Sequence, residues 1–212
     1  MRTKTRIIKI DQGAIASDQI RLISDVLRRD GVLVYPTETF YGLGALASSG
    51  KAIKKVYLLK SRDRGKPLSI VISDTAMAEE SAASIPPLFR VLAREFWPGP
   101  LTLVLKARPV FPADILGPGG TLAMRVPGVP WLRELIHSLG EPITATSANI
   151  SGAAEISDPA KVVQEFRGKA GLIVDGGPTP GGLPSTIVDL TSDRPRILRA
   201  GAVPAAALRK YF

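Results

Sequence analysis

Short apolar runs rich in β-branched residues alternate with amphipathic stretches along the chain, and this alternation constrains the fold more than any single motif. Strands that repeat with helices between them pack as an α/β layered domain. The spacing predicts strands at 7–10, 32–35, 68–72, 101–105, 122–126, 143–145, 171–174, 186–190 and 196–198. Helices are predicted at 17–29, 51–59, 75–84, 87–96, 130–139 and 159–166. Ser17 can cap the first of these, with Ile20, Ile23, Val26 and Leu27 on one face, before Gly31 ends it. Pro36 stops the strand that follows. The 51–59 helix buries Ile53, Val56 and Tyr57 and turns Lys51, Lys54 and Lys55 outward. Pro130 and Pro159 fit the first helical position of their segments. The fold class expected is a twisted, mixed parallel and antiparallel sheet flanked by helices. Strand order stays open, because the connections vary in length.

The 212 residues read as one domain, 1–212, with a core at about 17–201 and a tail after Gly201 too short for a second domain. Apolar residues make up 45%, enough for a substantial core. The first ten residues hold no apolar run of signal-peptide length, and no stretch approaches a membrane span, so a soluble cytoplasmic protein without a membrane partner is expected. With no cysteine and one histidine, Cys–His dyads and thiolate or multi-histidine metal sites are excluded. His137 falls at the end of a predicted helix, a common structural place for histidine. Chemistry must rest on lysine, arginine, hydroxyls, amides and carboxylates, which serve best by positioning and by stabilising charge. The net charge of +9 favours polyanions such as nucleotides or RNA, although a basic surface can also simply aid solubility.

The densest cationic cluster is Lys60-Ser61-Arg62-Asp63-Arg64-Gly65-Lys66-Pro67. It is either a solvated basic turn or a shaped loop that offers forked and point charges to a triphosphate. There is no Gly-x-x-x-x-Gly-Lys-Ser/Thr run and no Gly-x-Gly-x-x-Gly turn after a strand, so P-loop and dinucleotide sites lack support. Two hydroxyl-rich stretches leave predicted strands: Tyr35 to Gly44, and Thr144 to Gly152 with Ser147 and Asn149. Loops at strand ends bind ligands in open α/β sheets, and they are also ordinary turns. Arg125 lies in an apolar strand, where it needs an anion; a structural ion pair and a substrate carboxylate both qualify. The Phe96-Trp97-Pro98-Gly99-Pro100 turn reads as packing. The loops from Asp175 and Gly181 could close over a ligand.

Together these segments resemble the YrdC/TsaC family of threonylcarbamoyl-AMP synthases, in its short single-domain form. The marks are Tyr35-Pro36-Thr37-Glu38-Thr39 with Tyr41-Gly42-Leu43-Gly44, Lys60-x-Arg62, Trp97-Pro98-Gly99-Pro100, Arg125-Val126-Pro127, Ser147-x-Asn149 and Ser185-Thr186, in family order from about Gly31 to Gly201. The resemblance implies a large basic concave cavity. It implies a nucleotidyltransferase that joins L-threonine, bicarbonate and ATP, with Mg²⁺ carried on ATP, into threonylcarbamoyl-AMP and pyrophosphate. The product would serve N6-threonylcarbamoyladenosine formation at position 37 of tRNA, with tRNA and tRNA-modification proteins as partners. By resemblance, Lys60 and Arg62 are catalytic and bind ATP, together with Lys66, Thr121, Ser147, Asn149, Glu155 and Arg199. Thr39, Arg125, Ala145 and Ser185 would hold threonine. Val71 stands where some longer relatives have histidine, Leu183-Pro184 where Val-Glu is frequent, and Ala200 where proline is frequent. A different class, an RNA-binding module without synthase activity, is the alternative that the charge suggests.

Overall fold

The stretch Thr121–Arg125 shows how the sheet is built. Leu122 and Met124 are buried, while Thr121, Ala123 and Arg125, two residues apart, share the other face and are only partly covered. One face of the sheet therefore feeds the apolar core, and small or polar side chains line the opposite face.

The structure, a computed structural model, describes residues 4–11 and 14–212. Its elements run β1 (Arg6–Lys9), α1 (Ser17–Arg28), β2 (Leu33–Pro36), β3 (Tyr41–Gly44), α2 (Gly50–Lys60), β4 (Ser69–Val71), α3 (Thr75–Ser81), α4 (Pro87–Phe96) and β5 (Leu101–Lys106). After a short 3₁₀ turn come β6 (Thr121–Arg125), α5 (Pro130–Leu139), β7 (Ile143–Ser147), α6 (Pro159–Phe166), β8 (Leu172–Asp175), β9 (Thr186–Asp189), β10 (Arg196–Arg199) and α7 (Ala205–Arg209). The strands join in the order β1-β8-β2-β3-β7-β4-β6-β5-β9-β10. Pairings β1–β8, β8–β2, β4–β6 and β5–β9 are parallel, and the others are antiparallel. The mixed sheet agrees with the expected class, and the nine predicted strands and six predicted helices all form.

Four details differ from the expectation. The Tyr41–Gly44 stretch is a fully buried strand, not a loop, and pairs with β2 and β7. Its glycines follow from close packing on Tyr35, whose ring atoms would stand 3.0 Å from a Cβ on Gly42 and 2.8 Å from one on Gly44. Pro36 does not stop β2 but closes its register against Tyr41, so residues 37–40 form the hairpin turn. Ser17 is not the cap of α1; the cap is Ala16, whose N–H donates to the Gln19 side chain at 3.1 Å. Helix α3 ends at Ser81, because Ala82 turns extended and bridges to Ala107.

Helix α2 carries the first functional segment into place. Ser49 caps it, accepting from Ala52 N–H at 3.1 Å, and its own hydroxyl donates to Asp30 at 2.6 Å. At the other end Ser61 takes a left-handed conformation, φ 48°, which stops the helix at Lys60 and throws the basic loop sideways.

Candidate active site

A cleft of about 370 Å³ opens on the polar face of the sheet. That lies within the roughly 300–1,000 Å³ common for small-molecule sites. Its wall takes Thr37 and Thr39 from the β2–β3 turn, Arg62 from the basic loop and Thr121 and Arg125 from β6. Ala145 and Ser147 come from β7, Glu155 from the segment after it, and Ser185 and Arg199 from the far edge. Nine of the twelve residues singled out in the sequence thus face one hollow. Lys60 and Asn149 are buried and outside its lining, and Lys66 is exposed on the basic loop, also outside it.

Lys60 is 2% exposed, and its ammonium donates to Ser147 O at 2.5 Å, Asn149 O at 2.9 Å and Asn149 Oδ1 at 2.8 Å. An ammonium has three N–H donors, and all three are spent on this turn. The turn is tied further: Ser147 Oγ donates to Asn149 Oδ1 at 2.7 Å, Asn149 Nδ2 to Ala153 O at 2.6 Å, and Ser151 N–H to Lys60 O at 2.8 Å. The end of α2 and the turn after β7 are therefore locked together. Burial, then repulsion by Arg62, lowers the Lys60 pKa to about 8.

The basic loop is held by neutral acceptors. Arg62 Nε donates to Lys66 O at 3.2 Å and its NH2 to Pro67 O at 3.1 Å. Tyr57 anchors the same loop, its hydroxyl 2.9 Å from Lys66 O and 2.8 Å from Asp114 O. Arg64 and Lys66 are exposed. Neither partner of Arg62 is a carboxylate, while Glu155 shares the cleft wall with it.

At the other end Arg125 pairs with Glu38 through NH1 and Oε1, with side-chain exposures of 12% and 24%. Glu38 is the one acceptor recorded for Arg125 among the described residues, so the remaining guanidinium donors are uncommitted toward the cleft. Burial, and to a lesser degree the Arg199 charge, pushes its pKa down to about 10, and the group stays charged at neutral pH. Thr39 lies on a tight turn in which Thr37 Oγ1 donates to Phe40 O at 2.7 Å and accepts from Thr39 N–H at 3.1 Å. Across the cleft, Ser185 Oγ is 2.8 Å from Thr102 Oγ1, and Arg199 donates to Ser185 O at 2.7 Å and Oγ at 3.0 Å. The 176–185 loop is pinned to the Thr39 turn by Gly181 N–H on Thr39 O at 2.7 Å.

Of the two sequence readings of Arg125, the structural ion pair is the one the structure shows, and guanidinium donors remain beyond it. The partner, Glu38, was quoted in a motif but given no role, since no spacing ties residue 38 to residue 125. Thr102 was hidden inside an apolar strand. Its signal was a hydroxyl at a cleft-facing position of β5, readable only with the sheet order known. The Trp97 turn is packing, with Nε1 donating to Leu101 O at 2.6 Å and the ring edge-on to Phe89 at 5.5 Å. His137 is exposed on α5 and is not on the cleft wall.

Comparison with known proteins agrees with this architecture. Residues 25–201 match the Sua5/YciO/YrdC family, described as telomere recombination. A relative from Pyrococcus abyssi, named threonylcarbamoyl-AMP synthase, is 40% identical over 92% of this chain and 57% of its own length. The crystal structure of P. abyssi Sua5 complexed with L-threonine superposes with a TM-score of 0.91 at 39% identity, over 98% of this chain and 61% of that one. The crystal structure of E. coli YciO matches with a TM-score of 0.83 at 27% identity, over 94% of this chain and 96% of that one. The chain thus spans about three fifths of the P. abyssi protein and nearly all of YciO.

Proposed function

The chain belongs to the Sua5/YciO/YrdC family, and from that premise we propose that it is a threonylcarbamoyl-AMP synthase. The observation that carries the proposal is one cleft whose wall holds two unlike arginines, Arg62 tied to carbonyls and Arg125 tied to a carboxylate. A triphosphate suits the first, whose arginine is held by neutral carbonyls. A small amino acid with a hydroxyl suits the second, where a buried arginine fork and two hydroxyls converge. The cleft would be the large basic cavity of the family, with three arginines and one glutamate on its wall.

In this reading the threonine amine, as the free base, attacks bicarbonate carbon and water leaves, which gives a carbamate; a carbamate oxygen then attacks the α-phosphorus of ATP. The bond to the β-phosphate oxygen breaks and pyrophosphate leaves. Arg62 and Lys66, with Mg²⁺ arriving on ATP, would meet the charge that grows on the phosphates, and Arg199, held on Ser185, would contact the nucleotide. Thr121, Ser147 and Glu155 would contact the nucleotide. Lys60 would act through its buried charge and by holding the Ser147–Asn149 turn, since its donors are already taken. Arg125 would take the threonine carboxylate, with Thr39, Ser185 and the Ala145 backbone around the rest. The adenylate would pass to tRNA-modification proteins that act at position 37 of tRNA.

The test is pyrophosphate release with ATP, bicarbonate and each amino acid in turn. The expected result is turnover that needs both threonine and bicarbonate. Turnover with ATP alone, or none with any amino acid, would discard the reading.

A further inference from the structure

We infer that Thr102 is a positioning residue for Ser185: its buried hydroxyl donates to Ser185 Oγ and so leaves the Ser185 proton to point into the cleft, toward an acceptor atom of the substrate. The inference rests on the synthase reading above. Thr102 and Ser185 both line the cleft, and their hydroxyl oxygens are 2.8 Å apart. Distance alone does not say which one donates, but the surroundings do. Thr102 is 2% exposed, and Ser185 Oγ is the one partner of its hydroxyl among the described residues. A buried hydroxyl proton without an acceptor is costly, so it is spent on Ser185. Ser185 Oγ also accepts from Arg199 NH2 at 3.0 Å. A hydroxyl has two lone pairs and one proton, and here both lone pairs are taken. The proton is the capacity left over, and the partly buried Ser185 has the cleft in front of it.

The backbone around Ser185 makes this arrangement a property of the fold. Ser185 comes just before β9, and the parallel β5–β9 register sets Thr186 against Leu101 and Ile187 against Thr102. Thr186 N–H donates to Pro100 O at 3.0 Å, and Ala202 N–H to Pro184 O at 2.9 Å. Arg199 holds Ser185 O through Nε at 3.1 Å and NH2 at 2.7 Å. With the backbone tied on both sides, rotation of the hydroxyl is the freedom that remains, and Thr102 and Arg199 together remove it. A guanidinium on the oxygen also strengthens that hydroxyl as a donor. Ser185 is thereby a fixed donor that suits a carboxylate or carbonyl oxygen and has no lone pair to offer an ammonium. Thr102 acts through Ser185.

Steady-state pyrophosphate release at varied threonine tests this, with Thr102→Val, Thr102→Ser, Ser185→Ala and the double variant Thr102→Val with Ser185→Ala. Thr102→Val keeps the β-branched shape and removes the hydroxyl. It should raise KM for threonine about three- to ten-fold, the range for one lost hydrogen bond, and leave kcat within about two-fold. Thr102→Ser keeps the donor and should bring KM back to within about two-fold of the intact protein. In the Ser185→Ala background Thr102→Val should add less than about two-fold, because the hydroxyl it positions is gone. An unchanged KM in Thr102→Val, or the same rise with and without Ser185, overturns the proposal, while threonine-dependent turnover in the intact protein keeps the synthase reading. No such turnover in the intact protein takes down both. Should Thr102→Val not fold, Thr102→Ala takes its place in the same set.

Discussion

Arg62 and Arg125 are the same residue type at two ends of one cleft, and their surroundings make them different reagents. Arg62 is on a turn, tied to the carbonyls of Lys66 and Pro67. Neutral acceptors fix its direction and leave its charge intact. Arg125 is in the middle of a sheet, 12% exposed and tied to a carboxylate. Its charge is balanced, and what it offers is a rigid fork. A loop arginine therefore serves where charge is needed over a mobile polyanion, and a strand arginine where one carboxylate must be held in one orientation.

The comparison breaks most visibly at Arg125. Arg125→Ala would leave Glu38 as a buried charge without its counter-ion, a loss of about 3–5 kcal/mol in stability. Threonine-dependent pyrophosphate release should fall roughly 10³-fold, in line with truncation of one side of a buried charged contact. The pair of variants Arg125→Met and Glu38→Gln together should recover most of the stability and none of the activity, because removing both partners leaves no orphan charge. Denaturant unfolding beside the pyrophosphate assay reads both. An unfolding midpoint unmoved in Arg125→Ala would show that the ion pair carries no structural weight.

Arg62→Ala sharpens the contrast from the other side. It removes one charge-stabilising group, so the rate should drop about 10²-fold. Its contacts are exposed backbone carbonyls, so stability should stay within about 0.5 kcal/mol. A large loss of stability with a small loss of rate would reverse the roles assigned to the two ends.

Much of this was legible before any coordinates. The alternation of strand and helix patterns reported the α/β class because each element's period is a local property of the chain. The cleft residues could be gathered because polar side chains in apolar surroundings need a physical reason, and Arg125 stated that need most plainly. What escaped was everything set by pairing at a distance. The sequence around Tyr41 looks like a loop, since glycine is poor in strands, until Tyr35 is seen to fill the space those glycines leave. The Glu38–Arg125 pair spans 87 positions, and Thr102 meets Ser185 across 83. Such contacts follow from strand order, which local patterns do not carry. The buried lock on Lys60 was likewise invisible, because a lysine at a helix end beside three other cations reads as solvent-exposed.

Lys60 gives the smallest of the three effects and separates charge from scaffolding. Its pKa is lowered from 10.5 to about 8. Above pH 8 the folded chain loses this proton, and with it a positive charge behind the phosphate end and one donor to the turn. Activity should fall there, approaching ten-fold per pH unit. Lys60→Arg keeps its charge, so its alkaline limb should begin at least one pH unit higher, even if its plateau rate is lower. Folding responds with the opposite sign. Between about pH 8 and 10.5 the unfolded chain holds the proton that the folded chain has released, so rising pH favours the folded state through this group. The intact protein should therefore gain stability relative to Lys60→Met across that window while its turnover declines. If turnover and this relative stability fell together, Lys60 would be acting only as a structural tie, and the cationic end of the cleft would owe its charge to the loop alone.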